Sequence, residues 1–244
     1  MVAAVDDPVS ERLPLGEPAP VDEPTDTRRR RDPEARPQQI LEAAFCEFGE
    51  HGLAGARLDD IARRANVAKG TIYLYFPNKE ALFREMVRTT TIAALETAEA
   101  RLAAADRVSA EDQLRFFAAG WWEFLRTDRF QVVQRLVMAE LPQFPDLMQF
   151  YADEVVARGR RLVSAIISRG SDRGEFRAID PEVGARMLSA LAMTHSLWCS
   201  RRQFFPALMQ RTDDDVRDEL IDFFLHALRP DTAALAPSPA STSA

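Results

Sequence analysis

The chain has 244 residues, 46% of them hydrophobic, enough for one or two buried cores. No apolar run is long enough to cross a bilayer, and two cysteines, Cys46 and Cys199, make no disulfide framework. This points to a reduced, cytoplasmic protein with no membrane partner. The net charge of −7 looks wrong for a nucleic-acid binder, but residues 28–90 carry twelve basic and nine acidic side chains while both flanks are acidic.

Residues 1–27 are rich in Pro, Asp, Glu and Ala, have little to bury, and do not read as a signal sequence. Disorder is expected there. Arg28, Arg29, Arg30 and Arg31 follow. They are either a solvated charge run or an arm that tracks phosphates or enters a minor groove, and both readings stand. A helix is predicted over 33–51, with Ile40, Leu41, Ala44, Phe45 and Phe48 on its apolar stripe and Gly52 as its C-cap.

The stretch LDDIARRANVAKGTIYLYFPNKE, residues 58–80, reads as two short helices joined by a tight turn. Ile61, Ala62 and Ala65 share one face of the first; Arg63 and Arg64 fall on the other. Asn66 tolerates the left-handed backbone that ends a helix, and Val67 anchors the turn. In the second helix Ile72 and Phe76 point inward together, leaving Lys69, Thr71, Tyr73 and Tyr75 outside. Gly70 costs about 1 kcal/mol against alanine in a helix, which makes sense where a DNA backbone or base edge comes close. Pro77 stops the helix, and Asn78 caps the next.

The segment IARRANVAKGTIYLYFPNKEALF resembles the DNA-binding domain of the TetR/AcrR family of transcriptional regulators, and PQQILEAAFCEFGEHGLAGARLDDIA is similar to that family's first helix and following loop. The resemblance covers about residues 36–87. It implies a homodimeric, all-helical, ligand-responsive regulator, usually a repressor. By that resemblance Lys69, Gly70, Thr71 and Tyr73 lie at the groove, and Tyr75 and Lys79 match positions that usually hold phosphates. The chain departs from the family pattern at three places. Ala56-Arg57 stands where Thr or Ser is common, and Arg57 cannot cap by accepting a hydrogen bond, though it can pair with a phosphate. Asn66 replaces the usual turn glycine. Ala68 replaces the usual Ser or Thr, removing a cap and a phosphate hydrogen bond.

One helix over 80–105 links this head to the body. Ser109 opens a helix to about Thr127, another spans 129–141, and Pro142 to Pro145 form a corner. A long helix over 146–169 follows. Asp180-Pro181 starts one running to about Phe204, and Thr212 caps a last one ending near Leu228. The tail from Pro230 is expected to be disordered. The middle of the chain is unusually aromatic. Singly these rings are core residues; together Phe117, Trp121, Trp122, Phe124, Phe150 and Tyr151, with Met138, suggest an apolar cavity for an unidentified small hydrophobic ligand. Trp121 and Trp122 are adjacent and so face different directions. Glu140 is either a polar group of that cavity or a salt-bridged surface residue. Leu188, Leu191 and His195 recur along the penultimate helix, and Leu220, Phe223 and Phe224 along the last, as a candidate four-helix dimer interface. His195 and Cys199 at i, i+4 are too few for a metal site.

No nucleophile triad, phosphate loop or zinc spacing is present, so no catalytic residue, metal or cofactor is expected. The expected architecture is all-α: an extension over 1–32, a helix-turn-helix domain over 33–78, a helical ligand-binding and dimerisation domain over 79–229, and a tail over 230–244. The expected function is that of a homodimeric repressor released from a palindromic double-stranded DNA operator by a small ligand. The alternative is an activator, or a DNA-binding protein without an inducer.

Overall fold

The computed structural model describes residues 35–105, 107–208 and 210–230. Arg28 to Arg31, the acidic extension before them and the tail beyond Pro230 lie outside the described residues. All regular structure among the described residues is helical. In the head, α1 (Arg36–Gly55), α2 (Leu58–Arg64) and α3 (Lys69–Tyr75) pack around Ile40, Phe48, Leu53, Ile61 and Ile72, all fully buried. Gly52 does not end α1 outright. Its backbone leaves the helix (φ 73°, ψ 174°), and one further turn follows to Gly55. The α2–α3 turn rests on Asn66, the one non-glycine described residue with positive φ, at 53°. Arg57 and Ala68 stand at the N-caps of α2 and α3, and neither gives a side-chain cap.

Asn78 accepts a 2.7 Å hydrogen bond from the Ala81 N–H and starts α4 (Lys79–Val87). The helix continues through a π turn (Arg88–Ile92) into α5 (Ala93–Ala103). A π turn widens the helix and disturbs its i→i−4 bonding. The Thr89 and Thr90 hydroxyls donate to the Glu85 and Met86 carbonyls at 2.9 and 2.6 Å, satisfying acceptors at that point.

The body consists of α6 (Ala110–Leu125), α7 (Asp128–Ala139), α8 (Pro145–Tyr151) running through a second π turn into α9 (Ala157–Asp172), α10 (Pro181–Ser200) and α11 (Asp213–Leu228). Ser109, Thr127, Asp180 and Thr212 each accept a backbone hydrogen bond at their helix starts, and Thr212 with Asp215 completes a capping box. α10 stops at Ser200, short of the Phe204 end predicted, and two 3₁₀ turns (Arg202–Phe204 and Pro206–Leu208) follow it.

Two main clusters form the interior. One joins the head to α7 and α8 through Val133, Leu136, Leu147 and Tyr151. The other, built on Leu114, Phe117, Ile166, Ile167, Leu188 and Phe224, lies in the body and takes in Leu102 of α5. A small third cluster surrounds Leu125 and Phe130. Trp121 packs against all three. No helix of the described residues is long and apolar enough to cross a membrane.

Candidate functional site

The outer face of α3 is set by its inner one. Seven residues are too few to hold a helix by propensity, so α3 depends on Ile72 and on Phe76 just beyond it, both buried in the head core. Driving these two inward turns Lys69, Gly70, Tyr73 and Leu74 to solvent, with Thr71 half-buried beside them. Leu74 is 83% exposed, the most exposed large apolar side chain of the described residues. The inward pair hid it from a sequence reading, because residue 74 lies opposite 72 and 76 and its apolar character fits neither core nor ordinary surface. A Cβ on Gly70 would meet nothing within 4 Å, so no packing among the described residues calls for a glycine there.

The charges around this face are partly engaged. Lys69 Nζ lies 2.7 Å from Asp59 on α2, and that hydrogen bond holds its ammonium above the ordinary lysine range; Arg57 lies near enough to oppose the shift. Arg57 itself has no ion-pair partner among the described residues. Arg64 turns back to α1 and binds both Glu50 carboxylate oxygens, at 2.7 and 2.5 Å, which lowers the Glu50 pKa. It therefore braces the head. Lys79 Nζ donates to the Ala54 carbonyl at 2.9 Å, so the residue matched to a phosphate also closes the turn after Gly52. Tyr75 stands partly exposed at the end of α3.

A second feature lies in the body. A cavity of about 230 Å³ opens between α5 and α6. Ala94, Thr97, Ala98, Arg101 and Leu102 form one wall; Phe116, Phe117, Gly120, Trp121 and Phe124 form the other. The Phe117 and Trp121 rings stack at 6.1 Å and 11°, and Phe124 lies 5.3 Å from Trp121. Phe117, Trp121 and Phe124 therefore meet at one space, and the other four cavity candidates lie elsewhere. Trp122 is buried on another face of α6, beside Leu188, Leu191 and Leu220. Met138 is 70% exposed on α7. Phe150 lies under the Arg84 guanidinium at 4.7 Å. Tyr151 is buried in the cluster joining head and body, where desolvation pushes its phenol well above the usual range. Glu140 is not a cavity group: its Oε2 accepts a 2.7 Å hydrogen bond from the Ala54 N–H.

The dimer candidates divide in the same way. Leu188 and Phe224 are buried inside the body and face its core. Leu191, His195 and Leu220 are half-buried, and Phe223 is 65% exposed. His195 Nδ1 is 2.9 Å from the Leu191 carbonyl, and its ring lies 5.0 Å from Trp198. Met187, which is not among the dimer candidates, is exposed on α10 one turn before Leu191. Among the described residues Glu47, Glu50 and His51 approach closely enough to share a metal, but Arg64 already bridges both carboxylates.

Two family models match the chain. Residues 40–86 match bacterial regulatory proteins of the tetR family, and residues 112–230 match the C-terminal domain of AefR-like transcriptional repressors. The HTH-type transcriptional repressor SCO4008 of Streptomyces coelicolor is 51% identical over 57 residues, which is 23% of this chain and only 30% of that repressor. The fold resembles FadR of Bacillus subtilis, solved in complex with stearoyl-CoA (TM-score 0.65, 19% identity, 79% of this chain and 99% of that one). It also resembles a transcriptional regulator of Saccharomonospora viridis, solved in complex with choline (TM-score 0.65, 25% identity, 81% of this chain and 99% of that one).

Proposed function

Because the chain belongs to the tetR family of bacterial regulatory proteins, we propose that it is a homodimeric transcriptional repressor of a palindromic operator, released when a small apolar ligand enters the cavity between α5 and α6. The observation that carries this reading is the outer face of α3. It presents a lysine, a glycine that intramolecular packing does not require, an exposed tyrosine and an exposed leucine on one short, rigidly anchored helix. Lysine pairs with phosphates, the aromatic and leucine side chains contact base edges and thymine methyls, and glycine lets the duplex approach. Binding chromosomal DNA implies a cytoplasmic location.

A two-fold dimer sets two such helices in successive major grooves, about 34–36 Å apart. The stripe of Met187 and Leu191 on α10 with Leu220 and Phe223 on α11 supports a four-helix interface. Phe223→Glu is expected to yield a folded monomer in sedimentation experiments, with operator affinity reduced at least about a hundredfold by loss of the second half-site. A variant that remains dimeric would remove α11 from the interface.

Trp121 supplies the coupling. It forms a cavity wall and also touches the cluster shared with the head, so a ligand that moves it is felt along α4 and α5. The ligand shifts the equilibrium only by its greater affinity for the DNA-free state. Selection of bound sequences from random duplexes tests the whole reading: a two-fold symmetric motif is expected, and enrichment of none at low salt by folded protein would defeat it. Asp59→Asn frees Lys69 and removes a negative charge beside the groove, so it is expected to raise affinity roughly threefold to tenfold at low salt. An unchanged affinity would exclude Lys69 from phosphate contact.

A further inference from the structure

The proposed ligand control leaves the chemistry of the ligand open, and the two structural neighbours hold ligands of opposite charge, stearoyl-CoA and choline. We propose that the α5–α6 cavity of this chain selects a small apolar carboxylate, its hydrocarbon or ring against Phe117 and Trp121 and its carboxylate paired with Arg101; this rests on the preceding reading of the cavity as the effector site.

The charge balance of the walls carries the inference. Of the ten lining residues, one is charged, and it is Arg101. No carboxylate lines the space, so a cationic ligand has no counter-ion there. Arg101 has no ion-pair partner among the described residues; its guanidinium sits 5.7 Å from the centroid of the exposed Phe116 ring. Four nearby acids among the described residues are engaged elsewhere. Glu99 and Glu96 of α5 turn to Arg158 on α9, at 2.5 and 3.5 Å. Glu111 and Asp222 hold Arg115, at 3.1 and 3.0 Å. The Thr97 hydroxyl proton is committed to the Ala93 carbonyl at 2.9 Å, which leaves the Arg101 guanidinium and the Trp121 indole N–H as the side-chain donors of the lining, of which Arg101 alone is charged.

The size of the occupant follows from the space. About 230 Å³ is below the roughly 300–1,000 Å³ usual for drug-sized ligands, which suits a single ring or a chain of medium length. Gly120 forms part of this wall from within the helix α6. A Cβ there would meet nothing within 4 Å, so the missing side chain widens the cavity, against the helical preference for alanine.

The test uses the full chain with three probes of equal chain length: sodium octanoate, 1-octanol and octylammonium chloride, followed by calorimetry and tryptophan fluorescence. Octanoate is expected to bind about fivefold more tightly than octanol at low salt, as for one partly exposed ion pair, with the difference shrinking as salt is added. Octylammonium is expected to bind most weakly. Arg101→Gln should bring octanoate to the level of octanol, Arg101→Lys should keep most of the preference, and Gly120→Leu, which fills the space, should abolish binding of all three. Equal binding of the three probes, or a preference for octylammonium, would overturn the carboxylate assignment while leaving the cavity as an effector site. Octanoate binding that survives Gly120→Leu would overturn it too, by placing the ligand elsewhere. If no probe binds to protein that still binds DNA, both the assignment and the cavity's role as effector site fall.

Discussion

Tyr73→Ala is expected to weaken operator binding by at least about thirtyfold, the effect of losing one base-reading contact of about 1–3 kcal/mol in each half-site of the dimer. The thermal midpoint should barely move, because Tyr73 is half in solvent and lies outside the head core. Both halves of the expectation follow from one piece of geometry. Ile72 is fully buried and α3 is only seven residues long, so the register of the helix is fixed by that anchor, and its neighbour at 73 must face out. Ile72→Ala gives the contrasting result: it removes the anchor, costs about 2–5 kcal/mol of stability, and lowers DNA affinity through misplacement of the whole helix. Salt separates base from phosphate contacts. The slope of log affinity against log salt should be unchanged in Tyr73→Ala and should fall by about two in Lys69→Ala, one for each half-site of the dimer. Full affinity in Tyr73→Ala would mean that α3 does not read the groove.

Gly52→Ala is expected to destabilise the protein by about 3 kcal/mol or more, from two independent sources. With φ 73° and ψ 174°, residue 52 occupies a backbone region open essentially to glycine alone, and forcing alanine there costs about 1–3 kcal/mol. The added Cβ would also collide with the Glu140 carboxylate, which accepts the Ala54 N–H at 2.7 Å. Displacing that carboxylate forfeits a charge-assisted hydrogen bond worth about 1.5–3 kcal/mol. For a chain of this size the thermal midpoint should drop by about 6–12 °C. Glu140→Ala alone should cost less, and the double variant should cost less than the two singles together, because removing the carboxylate removes the collision. Additive costs would show that the two residues do not meet. The same junction joins head to body. Arg135 of α7 donates to the Gly49 carbonyl and Arg129 of α7 pairs with Glu42 of α1, so α7 grips α1 along its length.

The head was legible from sequence because its determinants are local. Asn66 at the turn, Ile72 with Phe76 on one face and Asn78 at a cap all act over three or four residues, where backbone geometry converts spacing directly into contact. The resemblance to regulators over about residues 36–87 drew on these same positions. Gly52 was recognisable as a break, though not as the seat of a carboxylate 88 positions away.

The body was legible as helices and much less so as a site. Aromatic content marks rings that will be buried but does not say against which neighbour. Trp121 and Trp122 show why: adjacent helical residues point about 100° apart, so one reaches the α5–α6 cavity and the other the α10–α11 side. Met138, Phe150 and Tyr151 belong to other surroundings for the same reason. By itself the sequence determined the helices, their caps and the outward face of α3, since each depends on residues within a turn or two. Only the tertiary structure decided which aromatic rings share a cavity, that Arg101 is the one charged residue of its lining, and that Glu140 and Lys79 close the turn after Gly52. Those arrangements depend on helices distant in the chain meeting at particular rotations, and no local spacing encodes the rotation.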